Sequence, residues 1–294
     1  KTLFTGSNYF CLTYDVPSGA TLLNYLDEQC VQVKVDSTGI SKIKIPSVTN
    51  PTGSRQISAP MPGGIYTINP SGSGATNFIS FKLAISDLKQ RGISGSIVFM
   101  VSSGTYNEQI EIPNFAGLSA TNNVTFKSVS GTPADVNLTN DCAYGNNYTL
   151  CLSGVKYINF RDITISATNS NYCTVLYIIN NSSSDSFFNV VFNSVSTSSS
   201  AYVSYDKIVI YQPYFNPSAG VSNFLSFDGC KINNGHYGIY INSAQNSGSL
   251  RASTNTNIQN CVFTNQYFGG IYIQMATGFK FINNRLSTNL TCNS

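Results

Sequence analysis

Few residues in this chain have side chains suited to chemistry. Of 294 residues, 13 are Asp or Glu, 16 are Lys or Arg, and one is His. Hydrolysis of a glycosidic bond needs two carboxyls in acid and base roles. Elimination from an acidic sugar needs carboxylates for calcium and a cationic base. After residue 150 the only carboxylates are Asp162, Asp185, Asp206 and Asp228. Asp162 and Asp228 are the acid–base candidates, two repeats apart and one place out of phase. Lys231 and Arg161 are the neighbouring cations. His236 lies in Asn-Gly-His-Tyr-Gly (234–238), and the corresponding stretch one repeat later reads Asn-Gln-Tyr-Phe-Gly (265–269). A generic turn with a solvated histidine is therefore expected. Glu108 and Glu111 are expected to be solvated edge charges. No Asp-Asp doublet or Asp-x-Asp cassette occurs after residue 100. The chain is thus expected not to be an enzyme.

The eight cysteines contain no Cys-x-x-Cys pair, which argues against zinc. Neither a metal nor a cofactor is expected. Cys142 and Cys151 flank a Gly-Asn-Asn turn and are the first disulfide candidates, with Cys11 and Cys30 the second. Buried free thiols are the competing reading. Cys230 and Cys261 hold the same place in neighbouring repeats, within disulfide reach or as stacked inward thiols. Tyr211, Tyr214, Tyr237 and Tyr267 are candidates for a face that binds sugars or a partner protein.

Composition limits the classes of function. Charged residues make up 10% of the chain, hydrophobic residues 41%, and Phe and Tyr number 18 each. That much apolar and aromatic residue argues against disorder. No basic run supports nucleic-acid binding. No apolar run reaches the roughly 18 residues of a membrane span, so no membrane insertion is expected. Abundant Asn, Ser, Thr and Gly between short apolar runs point to many strands joined by tight turns.

Residues 1–57 alternate in strand fashion at 12–16, 30–35 and 41–48, as the end of a β-sandwich would. Residues 58–70 read as a linker. One helix is expected at 77–92, where Phe78, Phe81, Ile85 and Leu88 follow helical spacing between Asn77 and Gly92. Beyond it the chain repeats: NVTFKSV (123–129), YINFRDITI (157–165), NVVFNSV (189–195), FLSFDGCKI (224–232), NIQNCVF (257–263) and KFINNRL (280–286). Phe126, Phe160, Phe192, Phe227, Ile258 and Ile282 are placed in one column. One such repeat cannot bury its own apolar face, but stacked repeats can. Residues 71–294 are accordingly expected to form an all-β, right-handed parallel β-helix. The helix would cap its first coil, and the coils would continue beyond residue 294 in a longer parent chain.

The stretch from GIYTINP (64–70) through SGTYNEQIEIP (103–113) to NVTFKSVSG (123–131) resembles the opening of pectin-lyase-like β-helix domains. Such domains occur in large proteins exported by the type IX system of gliding-type bacteria. Residues 8–35 and 48–57 resemble the end of the domain preceding sialidase-type repeats in similar proteins, although Cys11 stands where that family commonly has Trp. The resemblance implies secretion or cell-surface residence, with surface glycans or surface proteins as partners. It implies no reaction, because this fold serves enzymes and passive modules alike. The expected function is a non-catalytic extracellular structural or adhesive module. The rivals are a polysaccharide lyase or glycoside hydrolase acting on an acidic glycan, and a filament subunit.

Overall fold

The computed structural model of the protein describes residues 19–26, 29–30, 32–37, 40–47, 54–196, 205–213, 223–242, 245–246, 249–250, 253–274 and 276–287. The chain divides into two compact units, residues 1–59 and 60–294. In the first unit, Val33–Ser37 pairs antiparallel with Ile40–Lys44, and Tyr25–Leu26 with Arg55–Gln56. The strand expected at 12–16 and Cys11 lie outside the described residues.

The second unit is a right-handed parallel β-helix built from three sheets. Sheet A contains Gly64–Ile68, Ile97–Val101, Val124–Ser128, Ile158–Arg161, Ser186–Phe188, Ser226–Asp228, Asn257–Gln259 and Lys280–Ile282, with Asn77–Phe78 at its edge. Sheet B contains Gly104–Asn107, Val136–Asn140, Thr164–Ala167, Val191–Asn193, Lys231–Asn233, Val262–Thr264 and Arg285–Ser287. Sheet C contains Ile110–Pro113, Leu150–Ser153, Leu176–Ile179, Ile210–Gln212, Tyr237–Asn242 and Gly269–Gln274. Each of the six coils from Ile97 to Gln274 contributes one strand to each sheet. Parallel pairing therefore sets equivalent residues side by side, roughly 4.8 Å apart.

Alternation along each strand then fixes what faces inward. Phe99, Phe126, Phe160, Phe187 and Phe227 form one buried column on the inner side of sheet A. Their rings stack at centroid distances of 5.0, 5.0, 5.8 and 5.0 Å. Each such burial contributes about 1.5–3 kcal/mol, and ring stacking adds to it. Two members of the expected column are corrected. Phe192 belongs to sheet B, beside Ile165 and Ile232, and its place in sheet A is held by Phe187. Ile282 points outward, and Phe281 follows Ile258 in the column. The error arose because coil length varies, from 23 residues between Ile258 and Phe281 to 40 between Phe187 and Phe227.

The corners explain the Asn content. The turn from sheet A to sheet B is a single left-handed residue in successive coils: Asp162 (φ 55°), Asn189 (51°), Gly229 (64°), Asn260 (55°) and Asn283 (53°). Asn, Asp and Gly tolerate that backbone best.

The capping helix runs Phe81–Arg91, shorter than expected, and Asn77–Phe78 is strand instead. Ser80 is its N-cap, with its hydroxyl accepting from the Leu83 N–H. Glu108 is not a solvated edge charge. Its two carboxylate oxygens accept from the N–H groups of Phe81 (3.0 Å) and Lys82 (2.8 Å), which pairs an anion with the positive end of the helix dipole. Phe81, Ala84, Ile85 and Leu88 close the core beneath it.

One core position breaks the apolar pattern. Asp185 occupies the inward column that also holds Val124, Ile158 and Leu225, and it is fully buried. Its Oδ1 accepts from the Ile158 N–H at 2.9 Å, and its Oδ2 has no partner. Burial pushes its carboxyl well above the usual range, against a smaller lowering by that backbone hydrogen bond. The folded state therefore holds this proton more tightly than the unfolded chain. Its contribution to stability is full below the ordinary carboxyl pKa near 3.9 and declines as pH rises through and above it. Asp185→Asn keeps the acceptor and cannot ionise. Thermal unfolding from pH 4 to 8 should show a midpoint that falls with pH in the parent and falls less in the variant.

Candidate functional site

The residues nominated for catalysis are not gathered by the fold. Asp162 and Asp228 both lie at the outer margin of sheet A, on strands separated by Ser186–Phe188. Asp162 is only 8% exposed, and its Oδ1 accepts from Asn189 Nδ2 at 2.8 Å. Lys231 projects from sheet B, between Val191 and Val262. His236 is in the turn from sheet B to sheet C. It is buried rather than solvated, with its ring 5.2 Å from Phe268 and 5.8 Å from Tyr267. Burial, with a smaller effect of Lys207, lowers its pKa.

The tyrosines form a column on the outer side of sheet C. Register aligns Glu111, Cys151, Tyr177, Tyr211, Tyr240 and Tyr272. Tyr240 and Tyr272 stack at 4.4 Å. Tyr211 is packed against Tyr177 and Tyr240 and is 7% exposed. Burial pushes the Tyr211 phenol up, and the neighbouring phenols add to that. Tyr237 joins this cluster through Tyr240 and Tyr272. Tyr267 sits apart, beside His236 and Phe268. Tyr214 lies outside the described residues.

The expected disulfide between Cys142 and Cys151 is not formed; both are buried free thiols. They share a sheet corner but face opposite ways. Cys142 points inward toward Thr149 and the Thr174 carbonyl, whereas Cys151 lies in the outer row between Glu111 and Tyr177. Cys30 is an exposed free thiol.

What the fold does gather is a row on the outer face of sheet A. Register sets Lys127 beside Arg161, Arg161 beside Phe188, Phe188 beside Asp228, and Asp228 beside Gln259. The Arg161 guanidinium lies 4.5 Å from the Phe188 ring centroid, a cation–π contact. Phe188 stays 42% exposed. Both oxygens of Asp228 are held by the following coil: Oδ2 accepts from Gln259 Nε2 at 2.9 Å and Oδ1 from Asn260 Nδ2 at 2.8 Å. A parallel row of Thr125, Asn159, Ser186, Ser226 and Asn257 runs beside it. The cations stand at one end, the carboxylate and amides at the other, and an exposed ring lies between them. Arg161 and Asp228 were already candidates from sequence. Lys127, Phe188 and Gln259 were missed, because placing Phe192 in the sheet A column hid the outward phase of Phe188.

No family model matches the chain, and no curated protein matches it. Solved structures do. A pectin methylesterase solved in complex with a hexasaccharide is 15% identical, with a TM-score of 0.54; the match covers 76% of this chain and 66% of that one. Rice weevil pectin methyl esterase is 11% identical, with a TM-score of 0.53 and coverage of 79% and 68%. The chain thus spans about two thirds of these proteins. At such identity the likeness shows the fold. The sequence had led to a non-catalytic structural or adhesive module. That expectation is corrected: the two solved structures above that share this architecture are named as pectin methylesterases, so the fold gives no ground for preferring a non-catalytic module. Among the described residues no helix is long and apolar enough to cross a membrane.

The row can be tested before any ligand is known. Phe187 and Phe188 are adjacent but face opposite ways. Phe187→Ala should cost about 3–5 kcal/mol, as for a buried aromatic, and Phe188→Ala less than about 1 kcal/mol. Denaturant unfolding of both variants checks this, and equal costs would refute the register.

Proposed function

We propose that this protein is a carbohydrate-active enzyme that binds an acidic polysaccharide across the outer face of sheet A. The observation that carries the reading is the Lys127–Arg161–Phe188–Asp228–Gln259 row. A guanidinium pairs with a sugar carboxylate through two parallel hydrogen bonds, and Lys127 offers a second cation one strand away. The exposed Phe188 ring gives a sugar an apolar surface to lie on. Asp228 is the carboxylate in the row able to accept a proton, and the two amides fix its orientation. One oriented carboxylate in the same row as two cationic donors supports general-base chemistry, such as activating water against an ester on the glycan. Hydrolysis of a glycosidic bond is less well supported. It needs a second carboxyl, and Asp162 is engaged by Asn189 and nearly covered. The fold shared with pectin methylesterases is consistent with this choice. The reading takes the protein to act outside the cell, as the resemblance to type IX-exported surface proteins implies.

The test uses partially methyl-esterified polygalacturonate. Released methanol, new reducing ends and unsaturated ends distinguish ester hydrolysis, glycosidic hydrolysis and elimination. Methanol release is expected. Asp228→Asn should slow it by about 10²-fold or more while leaving binding in place. Arg161→Ala should instead weaken binding and reduce its salt dependence. Absence of binding, or turnover unaffected by both substitutions, would remove this reading.

A further inference from the structure

Cys230 and Cys261 take no part in the sheet A row. Each follows a left-handed corner residue, Gly229 and Asn260, and each precedes a strand of sheet B. Pairing of Lys231 with Val262 makes the two cysteines direct neighbours in successive coils. Their inward column holds Ile163 and Val190 in the two coils before and Asn284 in the coil after. An aliphatic column is thus replaced by two thiols at one step. Both are wholly buried and both are free. Cys230 Sγ lies 3.4 Å from the Phe187 carbonyl oxygen, and Cys261 Sγ lies 3.2 Å from that of Gln259 and 3.6 Å from that of Phe227.

We propose that Cys230 and Cys261 are a paired modification site, joined as a disulfide between coils when the chain meets a disulfide oxidant. Neighbouring strands stand about 4.8 Å apart, inside the 4.4–6.8 Å Cα range that a disulfide spans. The matching corner conformations send both side chains the same way. Cys151, by contrast, is flanked by Glu111 and Tyr177.

The chemistry balances as thiol–disulfide exchange. The Cys261 thiolate attacks one sulfur of the oxidant, and the other oxidant sulfur leaves as a thiol. Cys230 then gives up its proton and attacks the Cys261 sulfur, releasing the second oxidant sulfur. Two S–H bonds are lost and one S–S bond is made, and two electrons reduce the oxidant to two thiols. Cys261 is the first to ionise, because its interaction with the Cys230 thiol lowers its pKa, whereas burial pushes Cys230 up. Access requires local opening of the coils that bury the pair.

The experiment exposes the folded chain to oxidised glutathione, then denatures it, alkylates free thiols and maps the peptides by mass. The expected result is a linked pair of peptides carrying Cys230 and Cys261. A higher unfolding midpoint should accompany it and be lost on reduction. Cys261→Ser and Cys230→Ala should each abolish both effects. Complete alkylation of both thiols in protein that circular dichroism shows to be folded during oxidation would overturn the proposal. So would a bond from Cys230 to any other cysteine.

Discussion

Backbone pairing between successive coils is the interaction on which the rest of this structure depends. Parallel hydrogen bonding in three sheets forces equivalent residues of each coil into line, about 4.8 Å apart. Whatever stands at one phase of a strand is then repeated as a column, inside or out. Inside, the phase belongs to phenylalanine: five rings from Phe99 to Phe227 stack beneath sheet A. Because those columns share one register, a shift by a single residue would turn each ring of that sheet toward solvent.

The same constraint produces chemistry from residues scattered in sequence. Lys127 and Gln259 are separated by well over a hundred residues, yet they end four strand steps apart on one face. A rigid sheet places such groups with little reorganisation, which is what a site for an extended polymer requires. Columns also expose exceptions. Asp185 beneath the sheet is conspicuous because its column neighbours are apolar, and Cys230 and Cys261 because two thiols stand side by side after Ile163 and Val190.

Much of the architecture was legible in the sequence because it rests on local signals. Strand alternation, the helical spacing of Phe81, Ile85 and Leu88, and the recurrence of aromatic runs together identified the β-helix and its cap. Exact phase was not legible. Corners are single left-handed residues in some coils and long excursions in others, so counting from Phe160 led to Phe192 when the true successor was Phe187. That slip hid Phe188 and with it the outer row. Glu108 read as an edge charge because its partners, the amides of Phe81 and Lys82, lie more than twenty residues earlier. Glycoside chemistry is signalled in sequence by pairs of acids, whereas the row on sheet A mixes cations, a ring, one carboxylate and amides contributed by five coils.

The central claim is that a sugar acid is held over Phe188, between Arg161 and Asp228. The most direct measurement is a crystal structure of the protein with a short oligogalacturonide. The account predicts sugar rings along the outer face of sheet A, with a carboxylate against Arg161 or Lys127 and a ring over Phe188. Sugar bound instead to the tyrosine column of sheet C or along sheet B, with the sheet A face empty, would contradict it.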